Sequence, residues 1–269
     1  MKIKKIVSAV LASAMLLSFA ACGQNNTTKD NDAPANDTQK TTLVVGTNAE
    51  FPPCEFVTEE GQGVIDNYDG IDIMMVKELG AEIGADIKIE NLDFDGLLPA
   101  LASGKVDMVI AGMTVKPDRL ENADFSDTYW VAMQTIIVPE ANTDITSAKD
   151  LKGKKVGVIT GYTGDSALTE MGYTTELQRY KKGIDAVMDL QNGRLDAVVI
   201  DSATADRFIK KFGGMKGIED KESFESEEYA IAVKKGNTEL LNKINAALKS
   251  LKEKGDINRF AEEVDSRLS

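Results

Sequence analysis

Short apolar runs and helix-periodic segments alternate along this chain, and that alternation limits its fold more than any other feature. "TLVVGTN" is a brief apolar run that ends in glycine and polar residues, the pattern of a buried strand. After a turn-rich stretch, "GIDIMMVKELGAEIGA" places Ile71, Met75, Leu79 and Ile83 at helical spacing, with Val76 between them. "DIKIENL" alternates as a strand, "DFDGLLPALASGK" reads as a short helix stopped by Gly104, and "VDMVIAG" is a strand again. The rhythm restarts after residue 130. "KKVGVIT", "LQRY" and "LDAVVID" read as strands, while "TGDSALTEMG" (closed by Gly172), "GIDAVMDLQNG" and "SATADRFIKKFG" read as helices. Parallel strands need a crossover, usually helical, so the pattern predicts an α/β protein of βαβ units. Two such series predict two lobes. In the tail, a strand precedes a long helix with Leu240, Leu241, Ile244, Ala247, Leu248 and Leu251 on one stripe, and a second helix follows Gly255. Periodicity alone leaves open which lobe the tail packs on.

The N-terminus speaks to compartment. "MKIKKIVSAVLASAMLLSFAAC" has early lysines, an apolar run and small residues, the order of a secretory signal, with an apolar centre short for a membrane span. Ala20-Ala21-Cys22-Gly23 resembles the lipobox of bacterial lipoproteins, with Phe19 where leucine is usual. The resemblance implies a signal peptide over residues 1–22, ending at a lipidated Cys22, and a palmitate-bearing anchor to the outer face of the cell membrane. Ordinary secretion is the plainer alternative. Residues 23–42 are polar and almost free of apolar side chains, so they read as a disordered tether, with folded sequence from Leu43.

Loss of residues 1–21 removes three lysines and no acid, which takes the net charge from −13 to about −16. A chain this acidic is not expected to bind nucleic acid or to be drawn to an anionic membrane by charge. The sequence contains 0 histidines, which removes the commonest general base and zinc ligand. No cofactor and no metal are expected. With Cys22 lipidated, Cys54 has no disulfide partner and reads as a small packed residue.

In open parallel sheets, ligands bind beyond the carboxyl ends of the strands. There the first strand delivers Thr47, Asn48, Glu50 and Phe51, and Phe94 opens the helix after the next. "VDMVI" delivers Gly112, Thr114 and Arg119; "VGVI" delivers Thr160, Gly161, Thr163 and Gly164; "DAVVI" delivers Asp201. A guanidinium forks onto a carboxylate, and a carboxylate holds an ammonium. Glycines admit close backbone approach, the helix start at Thr163 favours an anion, and phenylalanines wall a cavity. A free amino acid would satisfy the whole set. Each residue also has a bland reading: Arg119 on a solvated helix face, Asp201 as a helix cap, "TGYTGD" as a plain turn, Phe51 and Phe94 as core. "GYTG" is no Walker loop, since no Gly-Lys-Ser/Thr follows.

The order of these pieces carries a resemblance. "LVVGTNAEFPPCEF", "DFDGLLPALASGKVDMVIAGMTVKPDRLENADFSDTYW" and "DLKGKKVGVITGYTGD" resemble the family 3 solute-binding proteins, the amino-acid receptors of bacterial ABC importers, from Leu43 to the C-terminus. The resemblance implies a two-lobed type II periplasmic-binding-protein fold, each lobe a mostly parallel sheet flanked by helices. It implies hinge crossings near Tyr129–Met133 and Glu228–Ala232, lobe one from 43–129 plus 232–269, and lobe two from 130–231. It gives Arg119 the substrate carboxylate, Thr114 an added hydroxyl contact, Gly112 a carbonyl to the ammonium, and Phe51 and Phe94 the aromatic sandwich. Thr163 and Gly164 match the lobe-two loop on the carboxylate, and Asp201 the ammonium carboxylate. Asn48 replaces an aspartate common among binders of basic or amide side chains, while Glu50 offers a nearby negative charge. Ile71 replaces the family's aromatic, and the loop 58–70 is longer than usual. The implied protein is a monomeric, hinge-closing receptor that passes an amino acid, polar uncharged or sulfur-containing, to a permease and ATPase. An extracytoplasmic enzyme on the same fold, dehydratase-like or glycan-cleaving, and an adhesin are the competing classes. Catalysis needs a free acid or base at the reacting bond, and Asp201 is already assigned to pairing, so no enzyme is expected.

Overall fold

The computed structural model describes residues 40–172 and 176–269. The leader, Cys22 and residues 23–39 of the expected tether lie outside the described residues. Among the described residues no helix is long and apolar enough to cross a membrane.

The first part of the chain forms β1 (Thr41–Thr47), β2 (Glu50–Phe51), β3 (Glu55–Val57), β4 (Tyr68–Asp69), α1 (Ile71–Ile83), β5 (Ala85–Asn91), α2 (Phe94–Ser103), β6 (Met108–Val109), α3 (Pro117–Leu120) and β7 (Ala123–Phe125). Then come β8 (Trp130–Ala132), β9 (Gln134–Pro139), β10 (Lys155–Ile159), α4 (Thr163–Met171), β11 (Glu176–Tyr180), α5 (Gly183–Gln191), β12 (Ala197–Asp201), α6 (Ser202–Phe212) and β13 (Met215–Glu219). The chain finishes with β14 (Glu227–Tyr229), β15 (Ala232–Lys234), α7 (Thr238–Lys254) and α8 (Asp256–Leu268). Gly104 and Gly172 close α2 and α4 in the left-handed conformation, as their positions predict. β1 begins at Thr41 rather than Leu43, because Thr41 and Thr42 pair with Ala85 and Asp86.

Two five-stranded sheets share one plan. The first runs β5-β1-β6-β15-β7 and the second β11-β10-β12-β9-β13. In each, the helix-connected strands are parallel: β1 with β5 and β6, β10 with β11 and β12. The other half is antiparallel, β15 against β6 and β7, β9 against β12 and β13. Each sheet is therefore mostly parallel, as expected, with four strands pointing the same way and one reversed, β15 in the first and β9 in the second. The reason is topological: β9 and β15 do not arrive through helical crossovers. They arrive from β8 and β14, which pair antiparallel as a separate ribbon, Glu227 opposite Ala132 and Tyr229 opposite Trp130. β8 leads the chain into the second sheet through β9, and β14 returns it to the first through β15.

The periodic helices bury the stripes the sequence writes. Met75, Val76 and Leu79 of α1 are 0–1% exposed, and so are Ile244, Leu248 and Leu251 of α7. α7 and α8 both pack on α1, with Phe260 and Val264 closing the layer. The second sheet has its own cluster of Ile136, Val138, Val156, Val158 and Val199. The stretch between β1 and α1 is a three-stranded sheet, β2-β3-β4. Strands of two and three residues carry too little pattern to be read in advance.

Candidate ligand-binding cleft

β1, β6, β10 and β12 all end toward one cavity, which encloses about 10 Å³. Phe51, Phe94, Gly112, Thr114 and Arg119 reach it from the elements around the first sheet. Thr163 and Asp201 reach it from those around the second. The structure thus brings seven of the ten expected residues together. Ala111 and Tyr162 complete the lining.

Arg119 is not a solvated helix residue. It sits in α3 and is only 6% exposed. Pro117 fixes the first helical position and starts the short turn that aims the side chain inward. Nη1 donates to the Thr114 carbonyl over 2.8 Å and Nη2 to the Gly161 carbonyl over 3.0 Å. The guanidinium lies 5.2 Å from the centroid of the Phe94 ring. Burial lowers its pKa, against Asp118, Glu227 and Asp201, which raise it.

Asp201 ends β12 and is 3% exposed. It occupies the N-cap position of α6 but makes no side-chain capping bond. Its Oδ2 accepts instead from the Tyr229 hydroxyl. Burial and the nearby Glu227 carboxylate push its pKa up to about 7. A carboxylate so poorly compensated is poised for a cation.

A hydrogen-bond chain crosses the cleft. Thr114 Oγ1 donates to Glu227 Oε2 over 2.6 Å, and Gln134 Nε2 donates to Glu227 Oε1 over 2.9 Å and to Thr163 Oγ1 over 3.0 Å. Glu227 belongs to the ribbon, so both halves of the cleft are tied to the crossing.

Gly112 has φ +52°, and a Cβ there would lie 2.6 Å from the Phe51 ring, so glycine is required. Its N–H donates to Asp72 Oδ2 over 2.9 Å, and the Tyr129 hydroxyl donates to the same oxygen over 2.8 Å. Behind them lies Glu55, fully buried, with no donor facing either oxygen. Burial, then the Asp72 charge, raises Glu55 well above the carboxylate range, while Asp72 is pushed up to about 6 by burial. Burial favours the protonated form of both acids, and Asp72 Oδ1, like both Glu55 oxygens, has no hydrogen-bond partner among the described residues. Cys54 shares this buried cluster, and its thiol too is pushed up by burial.

Three expected residues do not line the cavity. Asn48 is 2% exposed behind it, its Nδ2 donating to the Leu92 carbonyl over 2.8 Å and its Oδ1 accepting from the Tyr162 hydroxyl over 2.7 Å. Glu50 is held away by Lys182, whose Nζ lies 2.6 Å from Oε1. Gly164 packs against the second sheet, where a Cβ would meet Gln134 Oε1 at 2.6 Å and Val199 at 3.2 Å. Tyr162, Gln134, Glu227 and Tyr229 are site residues the sequence reading passed over. Only Tyr162 carried a signal, its place inside the "TGYTGD" turn after β10.

Residues 43–263 match the model of the bacterial extracellular solute-binding proteins, family 3. The chain is 33% identical to a probable histidine-binding protein of Neisseria gonorrhoeae, over 97% of this chain and 95% of that one. It is 33% identical to the arginine-binding extracellular protein ArtP of Bacillus subtilis (strain 168), over 96% of each chain. Among solved structures it is similar to an ancestral arginine-binding protein bound to glutamine, at 40% identity and a TM-score of 0.76, covering 83% of this chain and 97% of that one.

Proposed function

The chain belongs to the family 3 bacterial extracellular solute-binding proteins, and we propose that it captures a free amino acid between two hinged lobes and delivers it to an ABC importer. One observation carries the reading. Arg119 and Asp201, of opposite charge and each under a tenth exposed, line the same small cavity. A zwitterion is the small ligand that neutralises both. The Arg119 fork takes the α-carboxylate with the hydroxyls of Thr114 and Thr163 beside it. Asp201 takes the α-ammonium, with the Gly112 carbonyl.

The cavity as closed holds about one water, so an amino acid enters by opening of the cleft. The lobes are residues 43–129 plus 232–269 and residues 130–231, and the β8–β14 ribbon is the hinge. Closure on the ligand follows from contacts made only in the closed form. Micromolar affinity needs about 8 kcal/mol. Charge-assisted hydrogen bonds at roughly 1.5–3 kcal/mol each, with aromatic burial, supply that after ordering costs. Asn48, a neutral acceptor, favours a polar uncharged side chain. The role is binding rather than catalysis, by a monomer held outside the cell membrane through lipid on Cys22, with a permease and ATPase as partners.

A thermal-shift screen of the twenty amino acids and cystine tests the reading. A ligand that binds only the folded state raises its stability by mass action. We expect a rise for at least one polar amino acid and its recovery unchanged. No shift with any of them, or turnover of the one that binds, overturns it.

A further inference from the structure

Tyr162 stands between Phe51 and Phe94. Its ring centroid lies 5.3 Å from that of Phe51 at 87°, and 4.6 Å from that of Phe94 at 63°. These are edge-to-face arrangements, which aromatic rings favour. Its hydroxyl donates to Asn48 Oδ1 over 2.7 Å, and the residue is 7% exposed. Phe51, Phe94 and Asn48 belong to elements around the first sheet, whereas Tyr162 follows β10 of the second. One half of the molecule places a ring in a slot built by the other.

The local chain explains why the ring points there. Gly161 turns with φ +82°, and a Cβ there would lie 3.3 Å from that of Asp95. The turn therefore presses against the start of α2, and the Tyr162 N–H closes it on the Ile159 carbonyl over 3.0 Å. The far end of the slot is equally defined. Asn48 is held by the Leu92 carbonyl, which fixes the amide and leaves Oδ1 facing the ring. Two aromatic walls and one neutral acceptor make up the slot.

Arg119 and Asp201 line the same cavity as Tyr162. On the reading that they grip a free amino acid, that ligand's side chain has this slot as its way inward, and ring and side chain cannot share it. The geometry points to Tyr162 as an internal competitor, which occupies the side-chain slot in the closed protein and must be displaced by the ligand. The best replacement reproduces what it displaces: a flat group ending in a donor hydrogen for Asn48 Oδ1, such as the side-chain amide of glutamine. A carboxylate brings charge and no donor hydrogen to Oδ1. An aliphatic side chain leaves that buried oxygen unpaired.

The test combines calorimetry with L-glutamine, L-glutamate and L-leucine and small-angle scattering without any amino acid. It uses the unaltered protein, Tyr162→Ala and Tyr162→Phe. Tyr162→Ala is expected to bind L-glutamine about tenfold tighter, the gain when a competitor has held the slot nine-tenths of the time. Tyr162→Phe, which keeps the ring and loses the hydroxyl, falls between. The unaltered protein prefers L-glutamine to the other two by about tenfold or more, a gap of the size an unpaired buried acceptor gives. Without ligand, Tyr162→Ala has the larger radius of gyration. Equal or weaker binding of L-glutamine by Tyr162→Ala overturns the competitor, and equal affinity for glutamine and leucine overturns the slot chemistry. If Tyr162→Ala does not fold, equal or weaker binding by Tyr162→Phe overturns the proposal instead. If no amino acid binds any of the three, the amino-acid reading itself has failed and scattering decides. An unchanged radius then overturns the competitor, and a larger one supports it.

Discussion

Arg119 Nη2 donates to the Gly161 carbonyl across the cleft over 3.0 Å, so the cation facing the cavity also joins α3 to the loop after β10. Arg119→Ala removes both the carboxylate fork and this link. Affinity for the amino acid is expected to fall by two or more orders of magnitude, the loss of about 3 kcal/mol that one charge-assisted fork supplies. Arg119→Lys keeps the charge without the planar fork and recovers only part. Calorimetry checks both; a near-normal dissociation constant for Arg119→Ala removes it from the site.

Asp201 governs a pH dependence. Its pKa stands at about 7 when folded, raised by burial and by Glu227, against about 3.9 for an unfolded aspartate. Between those limits the folded state binds more protons, so stability falls as pH rises. The contribution is fully present below about pH 3.9 and lost through about pH 7. Asp72, at about 6, adds the same sign. Melting temperature is therefore expected to fall from pH 4 to pH 7 in the absence of ligand, and Asp201→Asn to flatten that slope. An ammonium favours the ionised form, so affinity weakens as pH drops below about 7. Asp201→Asn is also expected to lose discrimination against deaminated analogues, measured by competition calorimetry. An unaltered slope and unaltered discrimination together leave Asp201 no role beyond the turn.

What the sequence made legible followed from local physics. α1 and α7 were readable because their apolar stripes recur at helical spacing and end up buried. Arg119 and Asp201 were readable because polar residues at strand ends sit where parallel sheets bind ligands. The one reversed strand in each sheet was not, because β9 and β15 owe their direction to the ribbon crossing rather than to their own residues. Glu50 misled for a similar reason. Its partner Lys182 lies 132 positions along the chain, and nothing near Glu50 announces it. Tyr162 had no periodicity to mark it, and its direction depends on the positive φ of Gly161.

Glu55 and Asp72 form a buried acid pair, and their unequal hydrogen bonding predicts that the proton sits on Glu55. Glu55 has no hydrogen-bond donor on either oxygen, while Asp72 Oδ2 accepts from both Gly112 and Tyr129. Glu55→Gln replaces a neutral acid with a neutral amide of the same shape, and stability is expected to change by less than about 1 kcal/mol. Asp72→Asn weakens the acceptor that holds the Gly112 turn beneath the cavity. It is expected to cost about 2–4 kcal/mol, since buried donors lose their charged partner. Urea denaturation of the two variants checks the order. Equal losses, or a larger loss for Glu55→Gln, place the proton on Asp72 instead.

Lys181 and Lys182, between β11 and α5, reach across to the other side of the cleft. Lys181 Nζ lies 2.7 Å from Asp95 Oδ2, and Lys182 Nζ lies 2.6 Å from Glu50 Oε1. Both lysines are about half exposed, at 51% and 50%, so water and salt screen the pairs and each adds little. If the cleft opens as proposed, both pairs are expected to separate, so what they add acts on closure. The double variant Lys181→Ala/Lys182→Ala is expected to bind the amino acid less than about tenfold more weakly, a modest effect for exposed pairs. Sodium chloride should weaken binding by the unaltered protein, and most of that sensitivity should vanish in the double variant. Calorimetry at 0.05 and about 0.5 M salt, where the screening length shortens severalfold, separates the cases. A variant as salt-sensitive as the unaltered protein shows that charges elsewhere, at Arg119 and Asp201, set the dependence.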